Sequence, residues 1–262
     1  MSAALGITTY NRPTFADKCF RSVRDAVRPL VSLVSVYNDG SDAKYRAEYR
    51  RAYGRLQDAT IIDAQENHGV AFAKNRLLET MLEQTDADWL FLCEDDILVK
   101  SPEAITEYVR VAEETGIHHF SFAYHGEGNS AGPSISDGQV EYHFHSVGAW
   151  CMYSRESLEK VGLFDENFNN AWEHVEMEMR LIDAGFMPGS AAHRYPDVVG
   201  SSVWLKEIPN SIEKSSIRPR DDWESSILQG LRYWHDAKPE TFSHLFGPGT
   251  HLENYANRIL NY

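Results

Sequence analysis

The sequence predicts an α/β protein with a mostly parallel central sheet flanked by helices. Short β-rich stretches alternate with helical stretches through the first hundred residues, a pattern typical of right-handed βαβ units. Polar clusters rich in Asn, Asp and Gly follow four of the β-rich stretches, at 9–13, 37–42, 64–69 and 93–96. The chain has 262 residues, of which 42% are hydrophobic, so it can bury a large core.

The elements follow from local patterns along the chain. We predict strands at 4–10, 30–37, 59–64 and 88–94, and helices at 14–28, from the 37–42 turn to about 54, at 70–84, and from Ser101 and Pro102 to about Gly116. Strands at 118–125 and 139–154 are expected around a Gly-rich loop, followed by a helix at 170–185 and a helical tail from 221. The prediction is one domain at 1–220 and a helical C-terminal appendage at 221–262.

Composition excludes several classes of protein. The formal net charge is −14 with no long basic run, which disfavours nucleic acid as a partner. No stretch approaches the roughly 20 apolar residues of a transmembrane segment, and the N-terminus lacks the pattern of a signal peptide. Cys19, Cys93 and Cys151 have no paired spacing, which predicts reduced thiols and a cytoplasmic location rather than a zinc module.

Three consecutive acids, Glu94, Asp95 and Asp96, end the fourth predicted strand. Two carboxylates about 4 Å apart repel by roughly 4 kcal/mol at an effective dielectric constant near 20. A divalent cation would remove this repulsion, and Mg²⁺ and Mn²⁺ prefer oxygen ligands, often shared with substrate phosphates. The carboxyl ends of parallel strands form the ligand-binding edge of such sheets. We therefore predict a metal site here, with Glu94 and Asp96 on one side of an extended chain and Asp95 on the other; the alternative is a solvated acidic turn.

Five segments in order, covering about residues 4–186, resemble the nucleotide-sugar-dependent glycosyltransferases of family 2, which have the GT-A fold. GITTYNRP (6–13) resembles the opening strand of the family, VYNDGSD (36–42) its DDGSxD turn, and ENHGVAFAKNRLLE (66–79) its NxGxaxaRN segment. FLCEDDILV (91–99) resembles the strand ending in the D-x-D metal motif. GAWCMYSRESLEKVGLFDENF (148–168), followed by WEHVEMEMRLIDAGF (172–186), resembles the acceptor-side segment and the ED helix. The chain departs from these motifs at Asn38, Lys74, Glu94 and His174, where the family commonly has Asp, Arg, Asp and Asp.

The resemblance implies transfer of a sugar, with inversion, from a nucleotide-sugar to an acceptor hydroxyl. It also implies a nucleotide-binding half at about 1–100 and an acceptor-binding half at about 101–220. The implied cofactors are Mn²⁺ or Mg²⁺ and a donor that we expect by analogy to be a UDP-sugar. The residues implied to contact the nucleotide are Thr9, Tyr10, Arg12, Asp39, Asn67, Gly69, Lys74 and Asp95. Asp96 is the implied principal metal ligand, with Glu94 or Asp95 assisting and His193 as a further candidate. For Gly69 and Lys74 the alternatives are an ordinary turn glycine and a solvated helical lysine.

The resemblance places the catalytic base at the start of the predicted 170–185 helix, where the chain reads Glu173-His174. Either residue is chemically capable of accepting the proton of the acceptor hydroxyl, and we favour Glu173. Glu176 and Arg180 have the spacing of an intrahelical ion pair, and Trp172 is either a core residue or an acceptor-stacking surface. His143 and His145 lie on one face of a predicted strand, either as surface residues or in the acceptor pocket.

Two other functions are compatible with part of this pattern. A sugar-phosphate nucleotidyltransferase has a related fold but usually carries a Gly-rich loop after its first strand, which TTYNRPTF (8–15) lacks. A non-catalytic nucleotide-sugar-binding module would tolerate His174 in place of the usual Asp. The sequence does not select among acceptors: a glycan, a lipid-linked saccharide, a protein and a modified nucleobase all remain open, and the acidic charge disfavours DNA.

Overall fold

The computed structural model describes residues 2–124, 135–143, 147–168, 170–188, 195–211, 214–215 and 221–240, with side chains from residue 225 onward in the last range. The strands are β1 (Ala3–Thr9), β2 (Leu33–Asn38), β3 (Thr60–Asp63), β4 (Trp89–Glu94), β5 (Ile97–Val99), β6 (His119–Ser121), β7 (Ile135–Asp137), β8 (Val140–His143), β9 (Trp150–Ser154), β10 (Tyr195–Val198) and β11 (Leu205–Glu207). The α-helices are α1 (Pro13–Ala26), α2 (Arg46–Tyr53), α3 (Val70–Gln84), α4 (Glu103–Thr115), α5 (Arg155–Val161), α6 (Glu173–Asp183), α7 (Ser201–Trp204) and α8 (Asp221–Ala237).

The central sheet has six strands in the order β3-β2-β1-β4-β9-β6. Strands β1 to β4 are parallel to one another, whereas β9 runs antiparallel to both β4 and β6. This arrangement confirms the predicted α/β class with a mostly parallel sheet. Two smaller units, the three-stranded sheet β10-β8-β7 and the ribbon β11-β5, were not predicted. Their strands are only three or four residues long, too short to show a clear alternation of apolar and polar residues.

The main core lies on both faces of this sheet. Strands β1 and β4 are buried along almost their whole length, as expected for parallel strands covered by helices on both sides. Helix α3 packs so closely on β1 that a Cβ at Gly6 would lie 2.9 Å from the Cβ of Leu77. The interior of β1 therefore requires a glycine at this position.

Most predicted boundaries agree with the structure, and helix α3 coincides with the prediction. The predicted strand at 139–154 is wrong as a single element, because β8 and β9 belong to different sheets and the backbone turns at Gly148 and Ala149 between them. The N-cap of α4 is Pro102 instead of Ser101. The predicted ion pair between Glu176 and Arg180 is confirmed at 2.9 Å.

Helix α8 packs against α6 through a second apolar cluster. Its buried members are Phe168, Val175, Met179, Ile227, Leu231 and Trp234. Trp172 packs on this cluster, with its ring centroid 5.9 Å from that of Trp234 and its indole N–H donating to the carbonyl of Ile227 at 3.3 Å. Trp172 is therefore a packing residue in this structure. Among the described residues, no helix combines the length and apolar character that a membrane span requires.

Candidate active site

The carboxyl ends of β1, β2 and β4 meet at one edge of the sheet. The register pairs Thr9 with Asn38 and Thr8 with Glu94, and the Asp39 N–H donates to the Thr9 carbonyl at 3.0 Å. The predicted meeting of the polar strand ends at one edge is therefore confirmed for these three strands.

The side chains of the three consecutive acids do not alternate between two sides as predicted. Strand β4 ends at Glu94, and Asp95 and Asp96 form a turn before β5. The Arg12 guanidinium is ion-paired with both Asp95 and Asp96, the latter at 3.1 Å, whereas Glu94 contacts Lys74. The prediction that Glu94 and Asp96 share a side is wrong, because the turn ends the extended conformation on which it rested.

Asp95 and Asp96 are both buried, and Arg12 partly neutralises their charges. Burial raises the pKa of Asp95, Arg12 lowers it, Asp96 raises it and a 2.5 Å hydrogen bond from the Thr9 hydroxyl lowers it, with a net pKa of about 7. Among the described residues no group of three or more His, Cys, Asp or Glu side chains is arranged to hold a metal ion. The two carboxylates instead fit Mg²⁺ or Mn²⁺ that completes its coordination with water and substrate phosphates.

Asp39 holds the loop that begins helix α3. Its carboxylate accepts hydrogen bonds from the backbone N–H groups of His68 and Gly69, both at 2.9 Å, and from the Asn67 amide at 2.8 Å. Gly69 has a φ of 96°, which a residue with a side chain rarely adopts. Asp39 and Gly69 therefore shape the loop in addition to their predicted nucleotide contacts.

A small cleft of about 60 Å³ lies between these strand ends. Its lining includes seven residues named from the sequence, namely Thr9, Tyr10, Arg12, Asp39, Asn67, Glu94 and Asp95. Asn170 also lines the cleft, three residues before helix α6. Sequence reasoning missed Asn170, because a single Asn in a polar segment carries no pattern.

Lys74 lies at the centre of a buried cluster of charged groups. Its ammonium group is 3.2 Å from Glu94 Oε1, 3.2 Å from Glu173 Oε1 and 3.1 Å from the carbonyl oxygen of Gly148. These contacts match the three donors of an ammonium group. The side chain is 2% exposed, so the alternative of a solvated helical lysine is wrong. Burial lowers the pKa of Lys74, but Glu94 and Glu173 raise it above its ordinary value.

Gly148 is necessary for this cluster. A Cβ at this position would lie 2.6 Å from Lys74 Nζ and 3.6 Å from Glu173 Oε1. The backbone carbonyl can therefore approach the ammonium group only because the residue has no side chain. This contact could not be predicted from local patterns, since Lys74 and Gly148 are 74 positions apart.

Glu173 and His174 occupy the first turn of α6. Glu173 Oε1 is 3.2 Å from His174 Nδ1 and accepts from Lys74 at the same distance. Burial raises the pKa of Glu173, but Lys74 and then His174 lower it, to about 2 overall. Burial lowers the pKa of His174, but Glu173 raises it above its ordinary value. The pair is thus a carboxylate and an imidazole held side by side.

A family model described as "Glycosyl transferase family 2" matches residues 5–162, which run from within β1 to the end of α5 and include the whole acidic segment. The chain belongs to glycosyl transferase family 2.

Individual relatives in this family are distant in sequence. The chain is 24% identical over 262 residues to the galactofuranosyltransferase GlfT2 of Mycolicibacterium smegmatis, an alignment that covers 90% of this chain and 37% of GlfT2. This chain therefore corresponds to little more than a third of that relative.

Solved structures show the GT-A fold. TarS of S. aureus superposes with a TM-score of 0.60 at 12% identity, covering 99% of this chain and 42% of TarS. The mannosyltransferase PcManGT of Pyrobaculum calidifontis, in complex with GDP-Man and Mn²⁺, has a TM-score of 0.60 at 15% identity, covering 97% of this chain and 69% of that chain. TarS 1-349 in complex with UDP-GlcNAc gives 0.59 at 13% identity, covering 100% of this chain and 73% of that chain.

Three further histidines were named from the sequence, namely His143, His145 and His193. His193 and His145 lie outside the described residues. His143 is buried on β8 with its Nε2 atom 3.4 Å from the Glu141 carboxylate, and the Tyr124 ring packs against it. His143 is therefore part of the small sheet, away from the residues that line the cleft.

Proposed function

We propose that this chain transfers a sugar, with inversion, from a nucleotide-sugar to an acceptor hydroxyl, using Mn²⁺ or Mg²⁺. The observation that carries the proposal is the cleft at the carboxyl edge of the sheet, where Asp95 lies among the residues predicted to contact a nucleotide. Asp96 does not line the cleft, but Arg12 in its lining is ion-paired with both Asp95 and Asp96. The complexes of PcManGT with GDP-Man and Mn²⁺ and of TarS with UDP-GlcNAc support a nucleotide-sugar donor. A UDP-sugar is our first candidate.

Asp96 and Asp95 would hold the cation, and the contact of Glu94 with Lys74 supports no more than an assisting role for Glu94. The bound cation would neutralise the diphosphate as it leaves. In this structure Arg12 is ion-paired with both aspartates. When a cation neutralises the two carboxylates instead, the Arg12 guanidinium would contact the diphosphate. A group at the start of α6, Glu173 or His174, would accept the proton of the attacking hydroxyl.

The candidate acceptors are a glycan, a lipid-linked saccharide, a protein and a modified nucleobase. We expect a reducing, cytoplasmic setting, because Cys19, Cys93 and Cys151 are buried free thiols. The domain division is likewise a proposal, with the transferase domain at 1–220 and the helical appendage at 221–262.

A panel of nucleotide-sugars with Mn²⁺ tests the proposal. A donor that binds the folded chain raises the melting temperature by mass action, and slow hydrolysis of that donor reports activation of its anomeric carbon. The Asp96→Asn variant should lose the Mn²⁺-dependent part of the shift. If no donor shifts the melting temperature or is hydrolysed, the proposal is wrong.

Two further assays separate the alternatives. A sugar-phosphate nucleotidyltransferase would release pyrophosphate from a nucleoside triphosphate and a sugar 1-phosphate. A non-catalytic module would show the thermal shift without any hydrolysis. Anomeric proton spectra of the first transfer product would decide between inversion and retention.

A further inference from the structure

We propose that His174 accepts the proton of the acceptor hydroxyl through its Nε2 atom, and that Glu173 is the carboxylate that positions His174. The inference rests on the proposed transferase function. It replaces our sequence-based preference for Glu173 with a division of roles that the geometry supports.

Glu173 is poorly suited to accept a proton. Its side chain is 5% exposed, and its Oε1 atom is already in contact with Lys74 Nζ and His174 Nδ1. A buried ammonium 3.2 Å away strongly favours the ionised carboxylate. A base is most effective when its pKa lies near the working pH, and the pKa of Glu173 is lowered to about 2, below the ordinary range of a carboxyl.

His174 has the geometry of an oriented base. A carboxylate can only accept a hydrogen bond, so the 3.2 Å contact with Glu173 places a proton on His174 Nδ1. In the neutral imidazole the lone pair is then on Nε2. The His174 side chain is 21% exposed, and among the described residues Nε2 has no hydrogen-bond partner.

The pair lies close to the donor cleft. Glu94 lines the cleft, and three successive contacts of 3.2 Å link Glu94 to Lys74, Lys74 to Glu173 and Glu173 to His174. Asn170, three residues before α6, also lines the cleft. The start of α6 therefore faces the place where donor and acceptor would meet.

The proposed step balances as a simple displacement. The acceptor oxygen forms its bond to the anomeric carbon while its proton moves to His174 Nε2. The bond from the anomeric carbon to the diphosphate oxygen breaks, and its electron pair leaves with the diphosphate. The imidazolium that results is stabilised by the neighbouring Glu173 carboxylate.

The groups that face His174 define its pH response. Glu173 and Glu178 lie on the same helix and favour the imidazolium, whereas Lys74 on α3 disfavours it. Between β8 and β9, the backbone of Gly148 also approaches the ring. Glu178 is itself paired with His119 on β6 at 3.1 Å. Glu173 is the nearest carboxylate, so its removal should have the largest effect on His174.

Chemical rescue separates the two candidates for the base. We expect His174→Ala to lower kcat by about 100-fold or more, and added imidazole to restore about 10-fold of that loss. We expect formate not to restore Glu173→Ala, because a diffusing carboxylate does not re-orient the ring. Strong rescue of Glu173→Ala by formate, with no rescue of His174→Ala by imidazole, would overturn the proposal. His235→Ala, at a half-exposed histidine on α8, is the matched control.

A second measurement needs no donor at all. Nitrogen-15 spectra of the ring should show His174 as the Nδ1–H tautomer, with a pKa above the ordinary value that falls in Glu173→Gln. An Nε2–H tautomer would refute the inference even if transfer is observed. If no donor reacts but the tautomer is as expected, the proposed function fails while the orientation of His174 by Glu173 stands. Both variants must bind Mn²⁺ and donor as the unaltered chain does, which excludes a general loss of structure.

Discussion

Replacing Lys74 with Met would remove the ammonium group that contacts both Glu94 and Glu173. Each carboxylate oxygen is 3.2 Å from Nζ, so each pair is worth about 5 kcal/mol of Coulomb energy at an effective dielectric constant near 20. Most of that energy is offset by the cost of burying the charges, and breaking a buried pair costs about 3–5 kcal/mol. We expect Lys74→Met to lower the free energy of unfolding by about 3 kcal/mol, the lower end of this range, because Glu94 is 27% exposed and its charge is screened by water.

Urea unfolding at pH 7 measures this loss, and two variants control it. Arg76→Met removes a partly exposed cation from the same helix, where the pair with Glu79 is 37% and 35% exposed, and should cost less than about 1 kcal/mol. Lys74→Met combined with Glu94→Gln should recover part of the loss, because one uncompensated carboxylate is gone. A loss below about 1 kcal/mol for Lys74→Met alone, or no recovery in the double variant, would refute the reasoning.

Three further measurements test other parts of the structure. Burial raises the pKa of Asp197 from 3.8 to about 6, so the folded chain holds this proton more tightly than the unfolded chain does. The free energy of unfolding of the unaltered chain, relative to that of Asp197→Asn, should therefore fall by about 3 kcal/mol as the pH rises from 3.8 to 6 and stay constant above pH 6. A difference in urea unfolding that does not depend on pH would contradict this. Arg12→Met should tighten Mn²⁺ binding in the absence of nucleotide by about 10-fold in calorimetric titrations, because the guanidinium no longer neutralises Asp95 and Asp96. Weaker binding would contradict this and show that Arg12 is needed to position the two carboxylates. Gly69→Ala should lower the free energy of unfolding by about 1–3 kcal/mol, since its φ of 96° strains a residue with a side chain, and an unchanged value would mean that the loop relaxes.

The sequence predicted the parts of the fold that depend on local patterns. Helix α3 was placed correctly because the turn residues ENHG, ending at Gly69, come directly before its first residue, Val70. The meeting of Thr9, Asp39 and Glu94 at one edge followed from the parallel order of their strands. These inferences use only chain order and residue type, which a single sequence contains.

Contacts between distant segments could not be predicted in the same way. Lys74 was expected at the nucleotide, yet its partners Glu94, Gly148 and Glu173 come from three other segments of the chain. The expected alternation of the three acids failed because nothing in their sequence shows that Asp95 and Asp96 turn instead of continuing the extended backbone of the strand. The left-handed backbone at Trp172, with φ of 73°, likewise depends on packing against α8.

Three departures from the family motifs belong to one cluster. Glu94 stands where the family commonly has Asp, Lys74 where Arg is common and His174 where Asp is usual. Lys74 contacts Glu94 directly, and Glu173 connects Lys74 to His174. Glu94 has one methylene more than Asp, which lengthens its reach toward Lys74, and Lys74 presents a compact ammonium beside the Gly148 carbonyl, where a planar guanidinium would need more room. The same ammonium holds Glu173 ionised beside His174. A single change back to the common residue should therefore disturb the other two, and Lys74→Arg should alter the pKa of His174 as well as the contact with Glu94.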